Sequence, residues 1–161
     1  MKELLTTARM RAAEEAAIGS GEVSGLELME RAGRGVVEAI LEVWPHLRTT
    51  GLKAVVLCGP GNNGGDGFVI ARLLKEAGWT IDLFLYGDLA RLPPDARANH
   101  DRWSVMGQVR PLDDPHGGVY GGFGATPPDL IVDAIFGTGL ARALPDDVEQ
   151  ALTDISYSMH R

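Results

Sequence analysis

Lys53-Ala-Val-Val-Leu-Cys58, then Gly59-Pro-Gly-Asn-Asn-Gly-Gly-Asp-Gly67, then Phe68-Val-Ile-Ala-Arg-Leu-Leu-Lys-Glu-Ala-Gly78, is the stretch on which the fold turns. The first part, apolar, partly β-branched and ended by glycine, reads as a buried strand, and the apolar spacing after Gly67 reads as a helix. Between them Gly59–Gly64 has the form GxGxxG in the strand-to-helix setting that gives this otherwise weak pattern its meaning. Glycines there let the backbone approach a phosphate, while free amides at the start of the next helix point at the anion. A Walker A loop is excluded, because Gly64-Gly65-Asp66 stands where Gly-Lys-Ser/Thr is needed.

On the amino-terminal side, residues 7–18 are rich in strong helix formers and stop at Gly19. Ser24-Gly25-Leu26-Glu27 fits a capping box, and Leu28, Ala32, Val36, Ala39, Ile40 and Val43 recur at helical spacing until Pro45. Gly33 and Gly35 inside this second helix have two readings, close packing on another backbone or tolerated helix glycines. On the carboxyl side TIDLFLYG (80–87) reads as a strand, PDARANHDRWSVMG (94–107) as helical and QVRPL (108–112) as a weak short strand. PHGGVYGGFGATPPD (115–129) is a loop by composition, DLIVDAIF (129–136) a buried strand leading into Gly137-Thr138-Gly139, and DDVEQALTDI (146–155) a helix.

Strands alternating with helices imply an α/β/α three-layer sandwich of Rossmann-like type with a mostly parallel sheet. Ligands of such sheets sit beyond the carboxyl ends of the strands. Both glycine-rich signals, after Cys58 and after Phe136, fall there, which argues for one shared site.

Composition narrows the partners. The 161 residues suffice for one domain that buries roughly 70% of its unfolded surface. A hydrophobic share of 45% and a charged share of 23% exclude disorder, collagen and coiled coil. The 21 glycines, about twice the usual ~7%, cluster at 59–67 and 107–139. A net charge of −7 argues against a nucleic-acid or acidic-membrane binder, so any phosphate must be held locally. One cysteine excludes a disulfide framework, no apolar run approaches ~18 residues, and the amino terminus lacks a signal core, so a cytoplasmic location is the expectation.

Two acidic residues stand out. Asp66, near a helix start, either accepts hydrogen bonds from a ligand hydroxyl or amide, or caps the helix, and Asn62 and Asn63 add polar capacity beside it. Asp133 interrupts an apolar strand that reads as buried on both faces, so it requires a cation, a set of donors or a proton-transfer role. The plainer alternative is an aspartate at the strand mouth, bonded to the turn that follows. His46, His100, His116 and His160 lie in loops or at the end without ligand spacing, Cys58 reads as a small buried hydrophobe, and Trp44, Trp79 and Trp103 as core or capping contacts. Arg142, shortly after the Gly137-Thr138-Gly139 turn, has two readings, a charged fork on a phosphate or, more commonly, a solvated loop arginine.

The glycine stretch GPGNNGGDGFVIARLL (59–74) strongly resembles that of the YjeF N-terminal domain family, the NAD(P)H-hydrate epimerases. The resemblance extends upstream through Leu28-Met-Glu-Arg-Ala-Gly33 and the two amino-terminal helices, and downstream through VDAIFGTGLAR (132–142), so it covers nearly the whole of residues 1–161. It implies epimerisation of R and S forms of NADHX and NADPHX, nicotinamide cofactors hydrated at ring carbon six, for a dehydratase that acts on the S form and is fused to this domain or separate from it. It assigns substrate contacts to Asn62, Asn63, Gly64, Gly65 and Asp66 and to Gly137, Thr138, Gly139, Leu140, Ala141, Arg142 and Ala143. It assigns a potassium ion to Asn63 and Asp133, and homodimerisation is a further expectation from it.

The family's later Asp-x-Pro-Ser-Gly motif, whose aspartate meets substrate and whose serine completes the potassium site, does not occur before Arg161. Asp154-Ile155-Ser156 lies in a helical pattern and is no substitute. The domain is therefore expected to be incomplete on its carboxyl side, with the absent aspartate a better proton donor than Asp66 or Asp133 and no catalytic residue assigned. The other reading, a non-catalytic binding or dimerisation scaffold of the same fold, is disfavoured by the intact NNGGD and VDAIFGTG segments.

Overall fold

The computed structural model describes residues 5–112, 127–138, 140 and 143–159. In chain order they form α1 (Thr7–Gly19), α2 (Gly25–Val43), β1 (Lys53–Cys58), α3 (Asn62–Glu76), β2 (Thr80–Leu85), α4 (Pro94–Ser104), β3 (Arg110–Pro111), β4 (Leu130–Ala134) and α5 (Asp146–Met159). The sheet order is β3-β2-β1-β4 and each described pairing is parallel. Strand alternation divides the core: Val55 and Leu57 face α5 with Val148, Ala151 and Ile155, while Ala54, Val56 and Cys58 face α3 with Phe68, Ala71 and Leu74. Helices on both faces of a parallel sheet are the three-layer arrangement expected from the alternating pattern. The loop expected over 115–129 lies, up to residue 126, outside the described residues.

Helix ends differ in detail from the sequence reading. The capping box of α2 is formed: Glu27 N–H donates to Ser24 Oγ at 3.2 Å and Ser24 N–H to Glu27 Oε2 at 2.9 Å. α1 runs through Gly19, and the left-handed residue that turns the chain is Gly21 (φ 77°). The buried side of α2 is also rotated by one residue from the expected stripe. Met29 and Gly33 are buried and Val37, Ile40 and Leu41 pack on the core, leaving Val36 and Val43 exposed. α2 carries apolar residues around more than one face, so its neighbour α3 chooses which face is covered.

The two ambiguous glycines separate here. A Cβ on Gly33 would stand 2.5 Å from Val69 Cγ1 of α3, whereas one on Gly35 meets nothing within 4 Å. Gly33 is thus a packing glycine and Gly35 a tolerated one. Gly33→Ala is expected to destabilise by about 1–3 kcal/mol and Gly35→Ala to stabilise by up to about 1 kcal/mol, with opposite shifts of the urea midpoint. The α2–α3 contact is also held by charge, since Arg72 Nη2 lies 2.6 Å from both carboxylate oxygens of Glu30.

Other expectations shift. Trp79 and Trp103 are core residues, but Trp44 is exposed and serves the end of α2 through its backbone N–H to Ile40 O. His100, read as a loop residue, is buried in α4 with its ring edge-on to Phe68. No described helix is long and apolar enough to cross a membrane.

Candidate functional site

The glycine stretch is shorter as a loop than its composition suggests. Only Gly59-Pro60-Gly61 is loop; Gly61 is the residue before α3, and Asn62, Asn63, Gly64, Gly65 and Asp66 form the helix's first turns. The reason is steric. Cβ atoms on Gly64 and Gly65 would strike the Gly59 carbonyl and Met29 of α2, and one on Gly67 would come 2.7 Å from Cys58 Sγ. These glycines press the start of α3 against the end of β1 and against α2. Gly64 and Gly65, assigned substrate contacts by resemblance, are buried and shape the site through the backbone. No side chain caps α3, which leaves its first amides for a ligand.

Asp66 sits at the fifth helical position, which removes the capping alternative. Burial, and then the charge of Glu14 on α1, push its carboxyl up to about 6. Glu14→Gln is therefore expected to lower the Asp66 midpoint below that value, a change that carboxylate NMR titration reads directly.

Both glycine signals converge on one cavity of about 790 Å³ at the carboxyl ends of β1 and β4. Asn62, Asn63 and Asp66 line it from α3, Ile135–Thr138 and Leu140 from the exit of β4, Pro60 and Gly61 from the loop, and Arg11 and Glu14 from α1. A Cβ on Gly137 would be 3.3 Å from Asn63 Oδ1, so the asparagine amide faces the turn. Leu140 and Thr138 are exposed at the rim and Ala143 is exposed outside the lining set. Gly139, Ala141 and Arg142 lie outside the described residues.

Asp133 departs from the expected burial. It is exposed, because β4 is an edge of the described sheet, and its Oδ1 accepts the Ile135 N–H at 3.0 Å. This is the strand-mouth geometry of the plainer alternative. It does not line the cavity directly, but holds the exit of β4 from which Ile135–Thr138 do. As donors, the amide oxygen of Asn63 and the carboxylate of Asp133 are hard oxygen ligands suited to a hard monovalent cation. No group of three or more His, Cys, Asp or Glu suited to a metal exists among the described residues. Cys58 is fully buried and its thiol is pushed up by burial, as expected of a packing residue.

The sequence-assigned site residues did not include Arg11, Glu14, Pro60, Gly61, Ile135 and Phe136, which also line the cavity. The available signal was α1 itself, a helix without an apolar face. A second cavity of about 550 Å³, lined mainly by apolar residues including Leu85, Leu89 and Val109, lies on the α4 side of β2 and β3 and is lined by no residue of 59–67 or 137–139.

A parallel α/β sandwich whose ligand cavity opens at the carboxyl ends of adjacent strands, floored by an uncapped helix start, defines the class. The family described as YjeF-related protein N-terminus matches residues 25–159, and this chain belongs to it. It is 56% identical over 147 residues to the NAD(P)H-hydrate epimerase of Rhodobacter capsulatus, covering 89% of this chain and 66% of that one. It is 48% identical over 154 residues to the same-named protein of Roseobacter litoralis, covering 89% and 67%. A bifunctional NAD(P)H-hydrate repair enzyme of Leishmania infantum is 32% identical over 155 residues, covering 96% of this chain and 26% of that one. The chain thus spans about two thirds of the length of the first two relatives and about a quarter of the third. The crystal structure of yeast ynu0 has the same fold, with a TM-score of 0.69 at 20% identity over 99% of this chain and 67% of that one.

Proposed function

We propose that the full-length protein interconverts the R and S epimers of hydrated NADH and NADPH, supplying the S form to a dehydratase. The observation that carries this reading is the single cavity in which Asn62, Asn63 and Asp66 meet Gly137 and Thr138. It is supported by the names of relatives 56% and 48% identical. The bifunctional relative supports a dehydratase partner, fused or separate. A cytoplasmic place and a homodimer belong to the same proposal.

In this site the first amides of α3 hold the substrate diphosphate, and Asn62 and Asn63 orient the sugar and ring by hydrogen bonds. Asp66 takes the proton-carrier role that the resemblance gave to a later aspartate, because burial and the charge of Glu14 push its carboxyl up to about 6, where it can give and take a proton close to neutral pH. It protonates the ring-carbon-six hydroxyl, which leaves as water as the ring nitrogen lone pair forms an iminium. Water then adds from either face and returns the proton to Asp66. Asn63 and Asp133 would hold a potassium ion through their side-chain oxygens, and such an ion would supply a fixed positive charge. Gly139, Ala141, Arg142 and Ala143 belong to the proposed substrate contacts with Leu140.

Incubating full-length protein with one epimer of NADPHX and following the epimer ratio by chromatography is the direct experiment. Exchange well above the spontaneous rate is expected; exchange at the spontaneous rate overturns the reading.

A further inference from the structure

α1 contributes no buried residue, so the usual reason for a surface helix, an apolar stripe covered by the core, does not account for it. What it turns toward the body is Arg11, Glu14 and Ile18, spaced to share one helix face. Arg11 and Glu14 line the main cavity with Asn62, Asn63 and Asp66. Glu14 and Ile18 also line a cavity of about 180 Å³ with Gly25 and Leu28 at the start of α2. The helix is thus placed as a wall of the site.

Arg11 is the one cation among the described lining residues, which also include the carboxylates of Glu14 and Asp66. Among the described residues no carboxylate pairs with its guanidinium. A nucleotide anion entering a cavity with two acidic walls, in a chain of net charge −7, is repelled unless a local cation compensates. We propose that Arg11 anchors a phosphate group of the substrate, an inference that rests on the reading of this cavity as the hydrated-nucleotide site. Arginine's planar fork of donors matches phosphate oxygens, and it approaches from α1 while the amides approach from α3. Docking of the nucleotide then ties α1 to the sheet.

The test is calorimetry on the full-length protein and its Arg11→Gln and Arg11→Lys variants, with ADP-ribose and 2′-phospho-ADP-ribose as ligands. Arg11 is exposed, so both variants are expected to melt with the wild type. Arg11→Gln is expected to weaken binding about tenfold or more, with Arg11→Lys recovering most of the loss. Equal losses for both ligands assign the contact to the diphosphate, and a loss confined to the second assigns it to the 2′-phosphate; either upholds the inference. Unchanged affinity for both ligands in Arg11→Gln, with the wild type binding, overturns it and leaves the epimerase reading intact. A wild type that binds neither ligand also overturns it, and the epimerase reading falls too only if epimer exchange stays at the spontaneous rate.

Discussion

Gly59→Ala and Gly64→Ala are each expected to cost the native state about 3 kcal/mol or more, a large share of the ~5–15 kcal/mol that holds a typical domain together. A Cβ on Gly59 would run into the Ile135 carbonyl, and one on Gly64 into the Gly59 carbonyl. Both obstacles are backbone, so no rotamer change relieves them, and the exits of β1 and β4 would have to separate. Gly61→Ala is the control: its Cβ meets nothing within 4 Å and its φ of −117° suits any residue. Urea melts should show Gly61→Ala within about 1 kcal/mol of wild type and the other two unfolding at much lower denaturant. Equal midpoints for all three would show that the site is not braced by these contacts.

Asp66→Asn is expected to move stability and activity in opposite directions. The Asp66 carboxyl titrates near 6 in the folded chain against 3.8 in the unfolded one, so the folded state holds its proton more tightly. Stability contributed by this proton is therefore full below about pH 4, falls as pH rises toward 6, and is absent above it. Asparagine removes the burial of charge. At pH 7.5 the variant should be more stable by about 1–2 kcal/mol, a value reduced for the partial exposure of the group, and at pH 4 the two proteins should match. If Asp66 is the proton carrier, epimer exchange should fall about a hundredfold or more. A variant that is both no more stable at pH 7.5 and undiminished in exchange would remove Asp66 from the chemistry.

The fold class was legible because its determinants are local. β1 declares itself by an unbroken apolar run, α2 by a capping box that needs only residues 24–27, and the crossover rule then makes the sheet parallel. The convergence of the two glycine segments was legible for the same reason, since topology alone brings strand exits together. The start of α3 was not: Gly64, Gly65 and Gly67 have poor helix propensity, and they are helical because any other conformation would lose the contact with β1 and α2. Asp133 misled because an apolar strand sequence does not say whether it lies inside the sheet or at its edge.

By itself, the sequence determined most of the strands and helices, the parallel order of connection, and that both glycine segments lie at the carboxyl ends of the strands, because periodicity, capping and handedness act over a few residues. Only the tertiary structure decided that Gly33 packs and Gly35 does not, that Asp66 titrates near 6, that Asp133 is exposed, and that Arg11 and Glu14 wall the cavity. Each of these depends on which atoms from a distant part of the chain stand within a few ångströms, and desolvation, charge coupling and steric exclusion are set by that distance rather than by spacing along the chain.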